Sequence, residues 1–309
     1  MMRDFTADRS SPMTPFDEGR ARALLTKACA AAGLPDPADA RLLALSENAV
    51  FDLGDPAVVA KVGRGPELSE RARRESEVAH WLAGRGIPVV RPFDGVAPGP
   101  QVADGHPVTF WHRLAPAVRP ARPADLAPLL RALHRLEAPP FALGRRDLLA
   151  PVGRWLASAE GHVDPADVAF LRDREASFAA AVAGLTPHLA PGVVHGDALP
   201  RNVHVGPEGP VLLDLETVSA DLREHDLVVL ALSHDRYGVS AEDYLAFTEG
   251  YGWDVRDWPG FAVLRGARET ASASWVAQQV PGNAAAAAEF RRRVDSLRDA
   301  ATTVRWYPF

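Results

Sequence analysis

The apolar residues of this chain change their rhythm near residue 115, and that change limits the fold more than any other feature. Before it, short apolar runs are closed by turn residues. They are Arg41–Leu45, Ala49–Leu53 and Ala57–Val62, separated by Ser46-Glu47-Asn48 and Gly54-Asp55-Pro56. Such runs predict an antiparallel meander. Val89–Pro92 and Val108–Leu114 predict two more strands on either side of the turn-rich Gly95–Gly105. A helix is expected over Glu67–Leu82, stopped by Gly84 and Gly86. Another precedes the strands: Thr14 can cap it, Pro15 suits its first position, Asp17 completes a capping-box-like pattern, and Gly33 and Pro35 end it. Residues 1–13 are expected to be disordered.

After the change the spacing is mostly helical. Leu126, Leu129, Leu130, Leu133 and Leu136 mark one face, and Asp164-Pro165 starts a helix that runs to about Leu185. A β-rich insert follows at Val193–His195, Val203–Val205 and Val211–Asp214. From Leu222 the pattern is helical again, with breaks near Gly238, Gly252, Pro259 and Pro281. The Pro-, Ala- and Arg-rich stretch 115–123 reads as a hinge. The expected class is α+β in two lobes. Residues 1–114 form a small antiparallel-sheet lobe with one main helix, and residues 115–309 form a larger, mostly helical lobe.

Composition narrows the function. Thirty-four basic and 40 acidic residues leave a net charge of −6, with no basic excess to displace the counterions of a nucleic acid. The single cysteine, Cys29, excludes an internal disulfide framework and a cysteine-rich zinc site. No apolar run approaches the ~20 residues that span a bilayer, and no apolar segment follows the first arginine as in a secretory signal. The expected setting is cytoplasmic, with neither nucleic acid nor membrane as a partner. Of the 34 basic residues only Lys27 and Lys61 are lysines. In so arginine-rich a chain, a lysine in an odd place needs a reason; Lys27 reads as a solvated charge.

The densest polar cluster is Val193-Val194-His195-Gly196-Asp197-Ala198-Leu199-Pro200-Arg201-Asn202. An apolar strand delivers Asp197 onto a loop, and Asn202 follows five positions later. A second apolar strand, taken as its neighbour, ends in Asp214-Leu215-Glu216. Two strand ends with an acid each and an amide between them can converge on Mg²⁺, which takes hard oxygen ligands and keeps waters and phosphate oxygens. Asp197 would stay free to take a proton. Asp and Asn are also common in β-turns for backbone reasons alone.

His195-Gly196-Asp197-x-x-x-x-Asn202 followed by Asp214-Leu215-Glu216 resembles the signature of the aminoglycoside phosphotransferase family, which includes choline, homoserine and macrolide kinases. The resemblance implies a bilobal protein-kinase-like fold over about residues 40–280. It implies Asp197 as catalytic base, Asn202 and Asp214 as Mg²⁺ ligands, and ATP or GTP as phosphoryl donor. His195 is expected to order the loop. Asp226, ahead of an apolar helix, is expected to brace it.

Lys61 lies in the otherwise apolar Val58-Val59-Ala60-Lys61-Val62, where an unpaired ammonium is costly. On the following helix Glu75 shares its face with Val78, Ala79 and Leu82, whereas Glu67, Glu70 and Glu77 point elsewhere. Lys61 and Glu75 are expected to meet, as in the ion pair that holds nucleotide phosphates in kinases. The alternative is a lysine that snorkels at a strand edge. The first hairpin turn lacks the glycine-rich pattern of protein kinases, so covering the phosphates falls to backbone amides and to Ser46 or Asn48. Glu47 would repel a triphosphate and is expected in solvent. By resemblance, Phe110–Leu114 with Trp111 and Arg113 is the hinge whose backbone binds the adenine edge; Trp111 fits a core position equally.

The expected function is transfer of the γ-phosphoryl group to a hydroxyl of a small antibiotic or metabolite. The alternatives are a non-catalytic pseudokinase, a protein kinase and a metal-dependent hydrolase. Only 11 residues separate Asp214 from Asp226, too few for a peptide-docking activation segment. A hydrolase would leave Lys61 and Glu75 without a purpose. Residues 220–260 hold nine acids against three arginines, which suits either a cationic acceptor or a solvated face.

Overall fold

A computed structural model of the chain describes residues 16–54, 56–299 and 304–308. The expected disorder over 1–13 and the cap at Thr14-Pro15 lie outside the described residues. The chain divides into two compact units. One holds the described residues up to His80 together with Val90–Leu114; the other holds Trp81–Val89 and the chain from Ala115 onward.

The smaller unit opens with α1 (Glu18–Ala32). Its N-cap is Asp17, whose carboxylate accepts the Arg20 N–H, and Gly33 ends it at φ 70°. Strands β1 (Arg41–Leu45), β2 (Asn48–Asp52) and β3 (Val58–Gly63) form the expected meander, and α2 (Ser69–Gly84) follows. Two further strands complete the sheet, β4 (Gln101–Ala103) and β5 (His106–His112), in the order β1-β2-β3-β5-β4.

The expected strand at 89–92 is not one. Pro88 and Pro92 withhold amide donors, and the segment makes only two isolated bridges, Val89 to Leu212 and Pro92 to Trp111. The fourth strand sits instead in the stretch read as loop. Asp104-Gly105 turns the chain there with φ 48° and 83°, the positive pair that a tight two-residue hairpin requires. Leu212 N–H donates to Pro88 O, and Trp81 meets Phe141 edge-on, so 81–89 packs with the larger unit.

β3 is not uniformly buried. Val58, Ala60 and Val62 join Leu24, Leu25, Phe51, Val108 and Phe110 in a core under α1. By the two-residue period, Val59 and Lys61 point to the opposite face of the sheet, where Lys61 is flanked by Val50 and Thr109. Lys27 is not merely solvated: its Nζ lies 2.7 Å from an Asp104 carboxylate oxygen, tying α1 to the β4–β5 turn.

The larger unit begins with α3 (Pro123–Leu133), then α4 (Val152–Ser158), which the sequence reading had not marked, and α5 (Pro165–Ala183). Asp164 caps α5 through the Ala166 N–H, as expected. Next come β6 (Gly192–Val194), β7 (Val203–Gly206), β8 (Gly209–Leu212) and β9 (Ser219–Asp221). The strands carrying Asp197 and Asp214 are not neighbours, contrary to expectation. β6 pairs with β9, and β7 pairs with β8. Helices α6 (Glu224–Tyr237), α7 (Ala241–Tyr251), α8 (Phe261–Ala277) and α9 (Ala284–Arg298) finish the unit, broken at Gly238 and Gly252 in left-handed conformation. Leu156, Leu171, Val276, Phe290, Val294 and Trp306 form the core where α4, α5, α8 and α9 meet.

Candidate active site

Asp197 follows β6 on a loop that closes on itself. Asn202 Nδ2 donates to the Asp197 backbone carbonyl at 2.8 Å and to Asp197 Oδ2 at 3.1 Å. The amide oxygen of Asn202 is thereby turned away from Asp197. Leu213 N–H donates to Asn202 O, which continues the β7–β8 ladder by one bond and brings the chain before Asp214 alongside Asn202. His195 adds a second tie. Its Nδ1 accepts the Asp197 N–H, so the ring proton belongs on Nε2, which donates to Leu213 O at 2.9 Å. With both nitrogens used, His195 orders the loop and offers no lone pair to a substrate. Asp214 itself holds φ 55° and ψ 62°, a left-handed backbone that is uncommon for a residue with a side chain.

The loop is anchored from below by Asp226 in the first turn of α6. Its carboxylate accepts the N–H groups of His195 (2.6 Å) and Gly196 (2.7 Å) and the Nε2 of His134 (3.0 Å). His134, unremarkable in sequence, bridges on to the Tyr251 hydroxyl at 2.8 Å. Burial would raise the pKa of Asp226. The His134 hydrogen bond, the electrostatic pull of the His134 and His195 rings, and the His195 amide outweigh it and hold the group at about 2.

A native pKa below the unfolded value stabilises the fold above that value, and the contribution is lost as pH falls through the interval. The wild type should therefore lose ~2 kcal/mol between about pH 4 and pH 2. Urea unfolding across that range should show this slope, and Asp226→Asn should lack it.

In the smaller unit Lys61 Nζ lies 2.9 and 3.2 Å from the two carboxylate oxygens of Glu75. Glu75 shares the buried face of α2 with Val78, Ala79 and Leu82, while Glu70 and Glu77 pair with Arg73 outside. Trp111 is buried in β5 opposite Val59, on the Lys61 side of the sheet, and its Nε1 donates to Thr109 Oγ1.

The expected hinge is largely occupied by sheet bonds. Phe110 O accepts from Phe93 N–H, His112 N–H donates to Arg91 O, and Arg113 N–H donates to Ala57 O. The Arg113 guanidinium pairs with Asp52 at 3.0 Å. Ser46 N–H closes the β1–β2 turn on Asn48 O. Glu47 is exposed, as expected, and both of its carboxylate oxygens receive Arg71 of α2, at 3.0 and 3.1 Å.

Residues 40–267, well over half of the 309, match the family model of the phosphotransferase enzyme family. The chain belongs to that family. No curated protein matches it in sequence. Among solved structures, amicoumacin kinase hAmiN in complex with AMP-PNP, Ca²⁺ and Ami superposes with a TM-score of 0.71 at 14% identity, over 94% of this chain and 98% of that one. A microcompartment-associated aminopropanol kinase gives 0.66 at 18% identity, over 89% and 94%. A choline/ethanolamine kinase family protein from Mesorhizobium loti gives 0.63 at 18% identity, over 91% and 94%. The likeness to these structures is one of fold, the kinase-like one.

What the sequence reading missed in this phosphotransferase is a set of arginines. Asp197 is not free: Arg268 Nη2 from α8 reaches Oδ1 at 2.8 Å, and Arg201 Nη2 reaches Oδ2 at 2.6 Å. Burial pushes the Asp197 pKa up, but the charges of Arg268 and Arg201 outweigh it and hold the carboxyl below its ordinary value. Arg201 stands inside the motif, four positions from Asp197, and could have been suspected. Arg268 comes from 71 positions away, with no local signal.

Several of the nine acids of 220–260 are spent locally. Glu224 accepts the His188 and Leu189 amides, Asp226 braces the loop, Asp235 pairs with Arg256 and Arg265, and Asp254 accepts the Tyr244 hydroxyl. Among the described residues no helix is long and apolar enough to cross a membrane.

Proposed function

We propose that this phosphotransferase is a small-molecule kinase that moves the γ-phosphoryl group of ATP or GTP onto a hydroxyl, with Asp197 as base. The observation that carries the reading is the Asp197 carboxylate itself. It is fixed to Asn202 on one side and mounted on backbone that Asp226 pins through two consecutive amides. An anion so held can orient an alcohol and take its proton as the new O–P bond forms. Because transfer passes through a loose transition state, a base kept below the ordinary carboxylate range suffices. Activity should therefore show no acid limb from Asp197 above ~4, the ordinary Asp value.

The residues present fit Mg²⁺. Among the described residues no three His, Cys, Asp or Glu side chains form a metal cage. Asn202 offers its outward amide oxygen and Asp214 a carboxylate, two hard donors of the kind that leave remaining positions to phosphate and water. When bound, the ion would neutralise charge on the phosphates. Lys61, aligned by Glu75, would pair with the phosphates as a compact cation. Ser46 Oγ and Asn48 would border them, since the Ser46 amide is committed to the turn. The adenine edge would meet the chain just after Arg113, whose own amide is taken. A cationic acceptor loses part of the support of the acidic 220–260 segment, because Glu224, Asp226, Asp235 and Asp254 serve the fold.

A single-turnover assay with γ-labelled ATP, Mg²⁺ and a panel of hydroxylated compounds tests the reading. Label transferred to an acceptor supports it; magnesium-dependent nucleotide binding without transfer to any alcohol favours the pseudokinase. Asp214→Ala should abolish Mg²⁺-dependent nucleotide affinity in calorimetry, and unchanged affinity would remove Asp214 as a ligand.

A further inference from the structure

The side from which an alcohol can reach Asp197 follows from its lone pairs. Oδ2 accepts from Arg201 Nη2 and Asn202 Nδ2, which fills it. Oδ1 accepts from Arg268 Nη2 alone, so the open position is on Oδ1, beside the Arg268 guanidinium. Arg268 is fixed there by a second, longer bond from Nη1 to Gly196 O at 3.4 Å.

A second guanidinium stands against the same turn. Gly196 holds φ 86°, and a Cβ built on it would fall 2.6 Å from both Arg146 Nη1 and Thr217 O, so Arg146 rests directly on this turn. Arg146 makes no hydrogen bond or ion pair with any described residue, and its Nε is buried without a partner. Burial and the neighbouring Arg268 push its pKa down to about 10. Asp226, Asp197 and Asp221 attract it through space without bonding to it. Asp226 accepts two amides and His134, Asp221 Oδ1 accepts Leu222 N–H, and neither carboxylate accepts a hydrogen bond from Arg146. A buried donor left without an acceptor is costly, and native proteins seldom leave one unless a ligand or water completes it.

We propose that Arg146 and Arg268 receive an anionic group of the acceptor, so that the substrate is a small alcohol bearing a carboxylate or phosphate rather than an amine. Planar guanidinium forks match the oxygens of either anion, and their charge complements it. The inference rests on the kinase reading above. In the transfer, the acceptor hydroxyl oxygen forms the bond to the γ-phosphorus. The bond from that phosphorus to the nucleoside diphosphate breaks with its electron pair, and the hydroxyl proton goes to Asp197 Oδ1.

The test is calorimetry on the full chain saturated with Mg²⁺ and a non-transferable ATP analogue. The probes are glycerate, glycerol 3-phosphate, glycerol and ethanolamine. At least one anionic alcohol should bind roughly 30-fold more tightly than glycerol or ethanolamine, as one desolvated charge-assisted contact implies. The tighter of the two anions identifies carboxylate or phosphate. Arg146→Leu should remove that advantage and melt no lower than wild type, since the side chain it deletes makes no internal bond. Arg146→Lys should restore part of the advantage. Ethanolamine or glycerol binding as well as both anions would overturn the proposal. So would an anion advantage that survives Arg146→Leu, or no saturable anion binding. Failure of the kinase reading is separate: it would show beforehand as no Mg²⁺-dependent binding of the ATP analogue.

Discussion

Asp197→Asn should cut turnover by ~10²–10⁴ while leaving nucleotide binding nearly intact. The substitution keeps the shape, and the Asn202 amide can still donate to the remaining carbonyl oxygen. What it removes is the negative charge and the acceptor site on Oδ1, where the hydroxyl proton would go. It also releases Arg268 and Arg201 from their anion at 2.8 and 2.6 Å. None of the residues proposed to hold the phosphates is changed, so nucleotide affinity should not fall. Single-turnover transfer beside nucleotide titration reads both effects. Near-wild-type turnover would mean that Asp197 is not the base, and a parallel loss of affinity would mean that it supports the nucleotide site instead.

The second large effect is expected from a change that keeps the charge. Lys61→Arg should fold, melt within a few degrees of wild type and lose transfer on the order of 10²-fold, the size of a small misplacement. Lys61 Nζ fits between the two Glu75 oxygens as a compact point, at 2.9 and 3.2 Å. A guanidinium is broader and planar, and would move either Glu75 on α2 or its own stem. Glu75 is almost wholly buried beside Val78 and Ala79, so α2 would have to give. Glu75→Gln should show a milder loss, since Lys61 stays in place with a weaker partner. Full activity of Lys61→Arg on a confirmed acceptor would remove the ion pair from the mechanism. Arginine serves nearly everywhere else in this chain, so the comparison is a direct one.

The Lys61–Glu75 pair was legible because two local patterns intersect. A lysine interrupts an apolar strand, and a glutamate takes an apolar position on the next helix. The strand alternates between faces, with Lys61 on the side away from α1, and the lysine still finds the glutamate. The Asp104-Gly105 hairpin was legible in principle and passed over, because its flanking strand has only three residues and leaves little period to read. The opposite error, a strand at 89–92, came from apolar residues whose prolines deny the ladder its donors.

The pairing of β6 with β9 rather than with β8 was beyond local reading, since partner choice depends on where the intervening turns leave each strand. Asp226 lay between the two cases. Its place ahead of an apolar helix pointed to support, but only the fold shows its carboxylate collecting two amides and an imidazole.

By itself the sequence determined the α+β class, the stops at Gly33, Gly238 and Gly252, and the spacing that puts Asp197, Asn202 and Asp214 within one short stretch. Those features depend on residues a few positions apart, where turn chemistry and apolar period act directly. The tertiary structure alone decided what surrounds Asp197. Arg268 arrives from α8 and Arg146 from the loop before α4, far along the chain, and both come to rest against Gly196 or Asp197. Charge acts through space, and which distant arginine fills the space beside a carboxylate is set by how the helices pack.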